Sequence, residues 1–103
     1  TEDGCSIVKL NGKILSDADI ESLSSYIAGL SNWKIIFDLT DLVHINSSGI
    51  SVFVKTMTKC RINHGDLFIS NPNKLILQLF EITKLNEVFS IHDSNQSALN
   101  QFK

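Results

Sequence analysis

Residues 44 to 53 read HINSSGISVF, and the paired hydroxyls of Ser47 and Ser48 are the groups in the chain that most invite a chemical role. A nucleophilic serine needs a base within hydrogen-bond reach and usually a third group to orient that base. His44 is the nearest histidine in sequence, while His64 and His92 fall at other element ends without a pairing pattern. The glycine that precedes the serine by two residues in the G-x-S-x-G elbow is absent, since Ile45 and Asn46 occupy those places. No hydrolase is expected. Neither G-x-G-x-x-G nor G-x-x-x-x-G-K-[ST] occurs, so no phosphate cradle and no cofactor is expected. Asp38, Asp41 and Asp66 could meet at strand ends and hold a divalent cation. Carboxylates that cap turns are the commoner outcome, and no metal is expected.

Two readings of the serines remain open. A serine at a helix start accepts a hydrogen bond from an exposed backbone N–H and contributes about 1 kcal/mol. The same place suits phosphorylation, because the free N–H groups and positive end of a helix tolerate about −1.5 to −2 charges. A partner docked over that helix end would have to bury the dianion, which is costly when unpaired. One modification would then release the partner and spare the fold.

The elements that must position these serines follow from apolar spacing. In CSIVKLNGKIL, Ile7, Val8 and Leu10, then Asn11 and Gly12, then Ile14 and Leu15 read as a strand with a tight turn or bulge into a second short strand. Ser16 caps a helix that repeats Ile20, Leu23, Ile27 and Leu30, with Asp17, Asp19 and Glu21 at its start. WKIIFDL, residues 33 to 39, is apolar without alternation, as a central strand would be. TDLVHI reads as a loop. Ile50, Phe53, Val54, Met57 and Cys60 then mark a helix from about Ser47 to Arg61, stopped near Asn63 and Gly65. DLFIS is a buried strand. In NPNKLILQLFEIT, Asn71 caps, Pro72 takes the first helical position, and Leu75, Ile76, Leu79 and Phe80 form a stripe. EVFSI is a short strand, and DSNQSALNQF is a capped helix burying Ala98, Leu99 and Phe102. The alternation predicts one α/β domain over residues 1–103, with a mixed, mostly parallel sheet of about four to five strands and about four helices.

Composition narrows the function. The chain has 103 residues, 43% hydrophobic and 19% charged, with a net charge of −2, as in an ordinary globular domain. Its nine basic residues are spread singly, which argues against nucleic acid as a partner. Cys5 and Cys60 show no metal or redox spacing and read as reduced, apolar-like residues. No membrane span or signal segment is visible, so a cytoplasmic monomer is expected, and the Asn-x-Ser matches at Asn46 and Asn95 are read as chance. The chain begins without methionine, which leaves room for an upstream segment.

VKLNGKIL, IIFDLTDLVHINSSGISVFV and LILQLFEITKLNEVFSIHDSNQSAL, in that order and spacing, resemble a STAS domain of the anti-sigma factor antagonist type. The resemblance covers nearly the whole chain. It implies a signalling protein that binds an anti-sigma factor with serine kinase activity and frees a sigma factor for transcription. In such partner switching the kinase phosphorylates the first serine of an aspartate, serine, serine or threonine, glycine motif, and a PP2C-like phosphatase restores binding. Carried over, Ser47 is the phosphorylated residue, and Asn46, Ser47, Ser48, Gly49 and Ile50 form the partner-binding surface, with Ile50 facing the partner or the core. Asn46 departs from the family's aspartate by losing its charge. The protein would be a binding module and kinase substrate, not an enzyme. The resemblance also leaves room for a STAS module of a transporter or other assembly that binds partners without phosphorylation.

Overall fold

The computed structural model describes residues 5–14, 17–29 and 32–102. Four strands form one sheet in the order β1 (Ser6–Ile14), β2 (Lys34–Ile45), β3 (Asp66–Ser70) and β4 (Ser90–His92), and every neighbouring pair is parallel. The helices are α1 (Asp17–Ala28), α2 (Ser47–Ile62), α3 (Lys74–Ile82) and α4 (Asn95–Phe102), with a short 3-10 turn at Leu85–Glu87. The α/β architecture is as expected, with four strands all parallel rather than a mixed sheet among the described residues.

Strands added in one direction by right-handed crossovers put their helices on one face. That face carries the larger core, where Leu23 of α1, Phe53 and Met57 of α2, and Ile76 and Phe80 of α3 cover Phe37, Leu39, Leu67 and Ile69. Phe37 and Phe53 meet at 4.8 Å between ring centres. α4 covers the other face, placing Ala98 and Leu99 against Ile36 and Phe68. Central β2 is therefore buried on both sides, from Ile35 to Leu39, which explains its unbroken apolar run.

Four boundaries differ from expectation. β1 is one strand, because the chain absorbs the Asn11–Gly12 irregularity as register shifts, with Gly12 at φ 72°, and goes on pairing with β2. β2 continues through TDLVHI, where Leu42 and Ile45 turn inward and Thr40, Asp41, Val43 and His44 outward. α3 starts two residues late: Asn71 takes a left-handed φ of 55°, Pro72 precedes the cap, and Asn73 accepts from Ile76 N–H at 2.8 Å. Leu75 accordingly points to solvent. The last strand is shifted to Ser90–His92, since Leu85–Glu87 close a 3-10 turn. Ser16, Leu15 and Leu30 lie outside the described residues. Gly65 is required by close approach, as a Cβ there would lie 1.9 Å from the Trp33 carbonyl oxygen.

Candidate functional site

β3 pairs only with Lys34–Asp38 of β2, so residues 40–45 run past the end of β3 beside β1 alone. This overhang delivers the chain to the head of α2. Asn46, extended at φ −94° and ψ 177°, closes the helix start: its Oδ1 accepts from Gly49 N–H at 2.9 Å and its carbonyl from Ile50 N–H at 3.1 Å. The cap is thus Asn46, not a serine, and the capping reading of Ser47 is corrected. Asparagine is as good a cap as aspartate, so the departure from the family motif keeps this hydrogen bond while deleting the charge and turning one acceptor oxygen into an amide donor.

With that role taken, Ser47 and Ser48 occupy the first two helical positions, both exposed. Among the described residues neither hydroxyl has a hydrogen-bond partner, while the Ser47 carbonyl accepts from Ser51 Oγ at 3.1 Å. No acidic residue sits in the first turn, leaving the positive end of a 16-residue helix uncompensated. Gly49 is buried and Ile50 faces the core at 8% exposure. The five motif residues thus split into two exposed hydroxyls, a cap and a two-residue root.

The head of α3 is tied to the same end of the molecule. Asn73 Nδ2 donates to the carbonyls of Leu42 at 3.0 Å and Val43 at 3.3 Å. Val43 and Leu75, about half exposed, add apolar surface there.

Asp38 lies on the α4 face, 7% exposed. Its Oδ1 accepts from Thr40 N–H at 3.0 Å, Thr40 Oγ1 at 2.6 Å and Asn71 Nδ2 at 3.3 Å. Its Oδ2 accepts from Asn95 Nδ2 at 3.0 Å, and Asn95 Oδ1 accepts from Ser70 Oγ. Burial pushes the carboxyl up, but these donors outweigh it and hold the carboxyl below its ordinary range. One buried carboxylate therefore ties β2 to the β3–α3 turn and the start of α4. The sequence offered Asn71 only as a helix cap and Asn95 only in a chance Asn-x-Ser match, and nothing local signals a partner as distant as Asp38.

The other chemistry-bearing groups lie apart. Asp41 pairs with Lys9 at 3.1 Å and Asp66 with Arg61 at 3.0 Å, the latter at the opposite end of β3 from the site. No group of three His, Cys, Asp or Glu residues is arranged to hold a metal ion among the described residues. His44 is exposed on β2, His64 lies in the turn after α2 at φ 66°, and His92 Nδ1 is 3.0 Å from Ser97 Oγ. No described helix is long and apolar enough to cross a membrane.

A family model described as the STAS domain matches residues 1–98. The chain belongs to the STAS domain family. A relative of this STAS domain, named "Putative anti-sigma factor antagonist BtrV" from Bordetella bronchiseptica, is 26% identical over 104 residues, covering 98% of this chain and 89% of the relative. Among solved structures, an anti-sigma factor antagonist from Mycobacterium paratuberculosis superposes with a TM-score of 0.86 at 19% identity, over 99% of this chain and 88% of that one. The Bacillus cell fate determinant SpoIIAA in its phosphorylated form gives 0.73 at 17%, over 97% and 92%. A sulfate transporter family protein from Wolinella succinogenes gives 0.81 at 14%, over 96% and 84%. At these identities the structural likeness is one of fold.

Proposed function

We propose that this STAS domain is an anti-sigma factor antagonist. It binds an anti-sigma factor with serine kinase activity through the Asn46–Ile50 segment and so frees a sigma factor. Phosphorylation of Ser47 by that kinase ends the association, and a PP2C-like phosphatase restores it. The observation that carries this reading is the uncommitted, exposed Ser47 hydroxyl one residue past a cap supplied by Asn46. A phosphoryl group there displaces no hydrogen bond among the described residues, sits at a positive helix end, and occupies the surface a partner would cover. The relative named as an anti-sigma factor antagonist and the neighbour solved in phosphorylated form support the same reading. Asn46 spares the phosphate the repulsion that an aspartate would add.

The test is a peptide map of the protein from its native cells, beside the Ser47→Ala variant. A phosphoryl mass on the Ser47 peptide, absent from the alanine form, is expected. An unmodified Ser47 across several growth conditions overturns the switch and favours the second reading, which the likeness to a transporter-family protein supports: a STAS module that binds its partner constitutively. A gene neighbour encoding a transporter rather than a kinase would point the same way.

A further inference from the structure

A groove runs between α1 and α2. Its lining is mostly apolar, from Ile20 and Ile27 of α1, Val52 and Val54 of α2 and Trp33 just ahead of β2, with the hydroxyls of Ser24, Thr56 and Thr58 among them. Ile20, Ile27 and Val52 are only partly buried, and Trp33 is 41% exposed. Lys55 and Lys59, one helical turn apart, stand on its rim. Both are exposed, and among the described residues neither forms an ion pair. No acidic side chain lines the groove among the described residues. The spacing 48, 52, 55, 59 puts Ser48 at the head of the same row of α2, so the row that lines the groove from Val52 onward begins one residue from Ser47.

We propose that this groove receives an acidic amphipathic helix of the partner that covers Ser47, a proposal that rests on the reading above. An amphipathic helix buries its apolar stripe in a groove of this kind. Its flanking charges meet two unpaired lysines, and a neutral or basic helix would leave those ammonium groups partly desolvated without a counter-charge. The chain as a whole is acidic, at −2, so the preference for an acidic ligand is local to this rim. It also gives the phosphate a second action, since a dianion beside the head of that row repels the acidic helix as well as blocking the surface.

Trp33 is the only tryptophan in the chain and reports on the groove floor by its fluorescence. Two tryptophan-free stapled helical peptides with one leucine pattern, one flanked by glutamates and one by lysines, are titrated into the protein. The glutamate peptide is expected to shift Trp33 emission, to bind at least about tenfold more tightly than the lysine peptide, and to weaken as salt is raised. Lys55→Glu with Lys59→Glu should cost the glutamate peptide about tenfold or more and improve the lysine peptide, while Lys55→Gln alone should give an intermediate loss. Both positions are exposed, and circular dichroism checks that the variants are folded. Equal binding of the two peptides, no binding of either, or indifference to the lysine changes overturns the proposal. The peptides involve no kinase, so their failure leaves the Ser47 switch standing, whereas an unphosphorylated Ser47 in native cells sinks the switch and leaves the groove result intact.

Discussion

Changing Asn46 and Ser47 in turn tests which of them holds the head of α2. Asn46→Ala removes the acceptor that Gly49 N–H meets at 2.9 Å and should cost about 1 kcal/mol. For a domain of this size that lowers Tm by roughly 4–8 °C. Asn46→Asp keeps an acceptor of the same shape and adds a charge at a helix start with no acidic residue in its first turn, a gain of about 0.3–1 kcal/mol at low salt. Ser47→Ala removes a hydroxyl with no partner among the described residues and should stay within about 0.5 kcal/mol of the parent. Thermal and urea unfolding of the four proteins in low-salt buffer at about pH 7 should place Asn46→Asp highest, the parent and Ser47→Ala near one another below it, and Asn46→Ala well below those. If Ser47→Ala falls as far as Asn46→Ala, the serine is the cap and the argument for a free hydroxyl fails.

Other consequences can be checked with the same tools. Asp38→Ala strands the donors of Thr40, Asn71 and Asn95 and should cost about 1.5–3 kcal/mol. Because the folded pKa of Asp38 lies below its ordinary 3.8, its stabilisation is present above that value and is lost as pH falls through the folded value. Acid titration of stability should therefore be shallower below about pH 4 in Asp38→Asn than in the parent, and an unchanged slope would remove Asp38 from the account. Burial, with a smaller push from Asp66, raises the Cys60 thiol to about 11, so the native protein should resist iodoacetamide at Cys60 at about pH 8 and react only when unfolded, as peptide mass mapping would show. Gly65→Ala forces a methyl onto the Trp33 carbonyl and should cost about 1–3 kcal/mol in the same melts.

Apolar spacing made β3, α2 and α4 legible almost to the residue, because each buries one clear stripe or run. The second half of β2 was hidden by its own geometry. Thr40 and Asp41 are both exposed, and Leu42 and Ile45 return inward three residues apart rather than two, where the pairing with β1 shifts register. Strict alternation, the usual strand signal, is absent there. At the site, position 47 stood out as a hydroxyl near a helix start, but the division of labour with Asn46 depends on the backbone angles of one residue. The Asp38 hub was illegible because its partner Asn95 lies 57 residues away, and polar pairs at that distance leave no period to read.

The division of labour at the motif bears on how a phosphate could act. Ser47 sits outside the capping hydrogen bond, and the residues behind it, Gly49 and Ile50, are fixed in the core. Adding about −1.5 to −2 charges at this position therefore changes the surface without removing a contact of the fold, and the helix end it meets is positive. The expected effect on the free protein is neutral or stabilising: Ser47→Glu should leave Tm unchanged or raise it, by at most about 1 kcal/mol in stability, and the gain should shrink as salt is raised. A switch of this kind lowers affinity for a partner by altering the docked surface alone. If Ser47→Glu instead lowers Tm by several degrees or reduces helical circular dichroism, phosphorylation would work by melting the head of α2, and the loss of binding would be a consequence of unfolding rather than of charge.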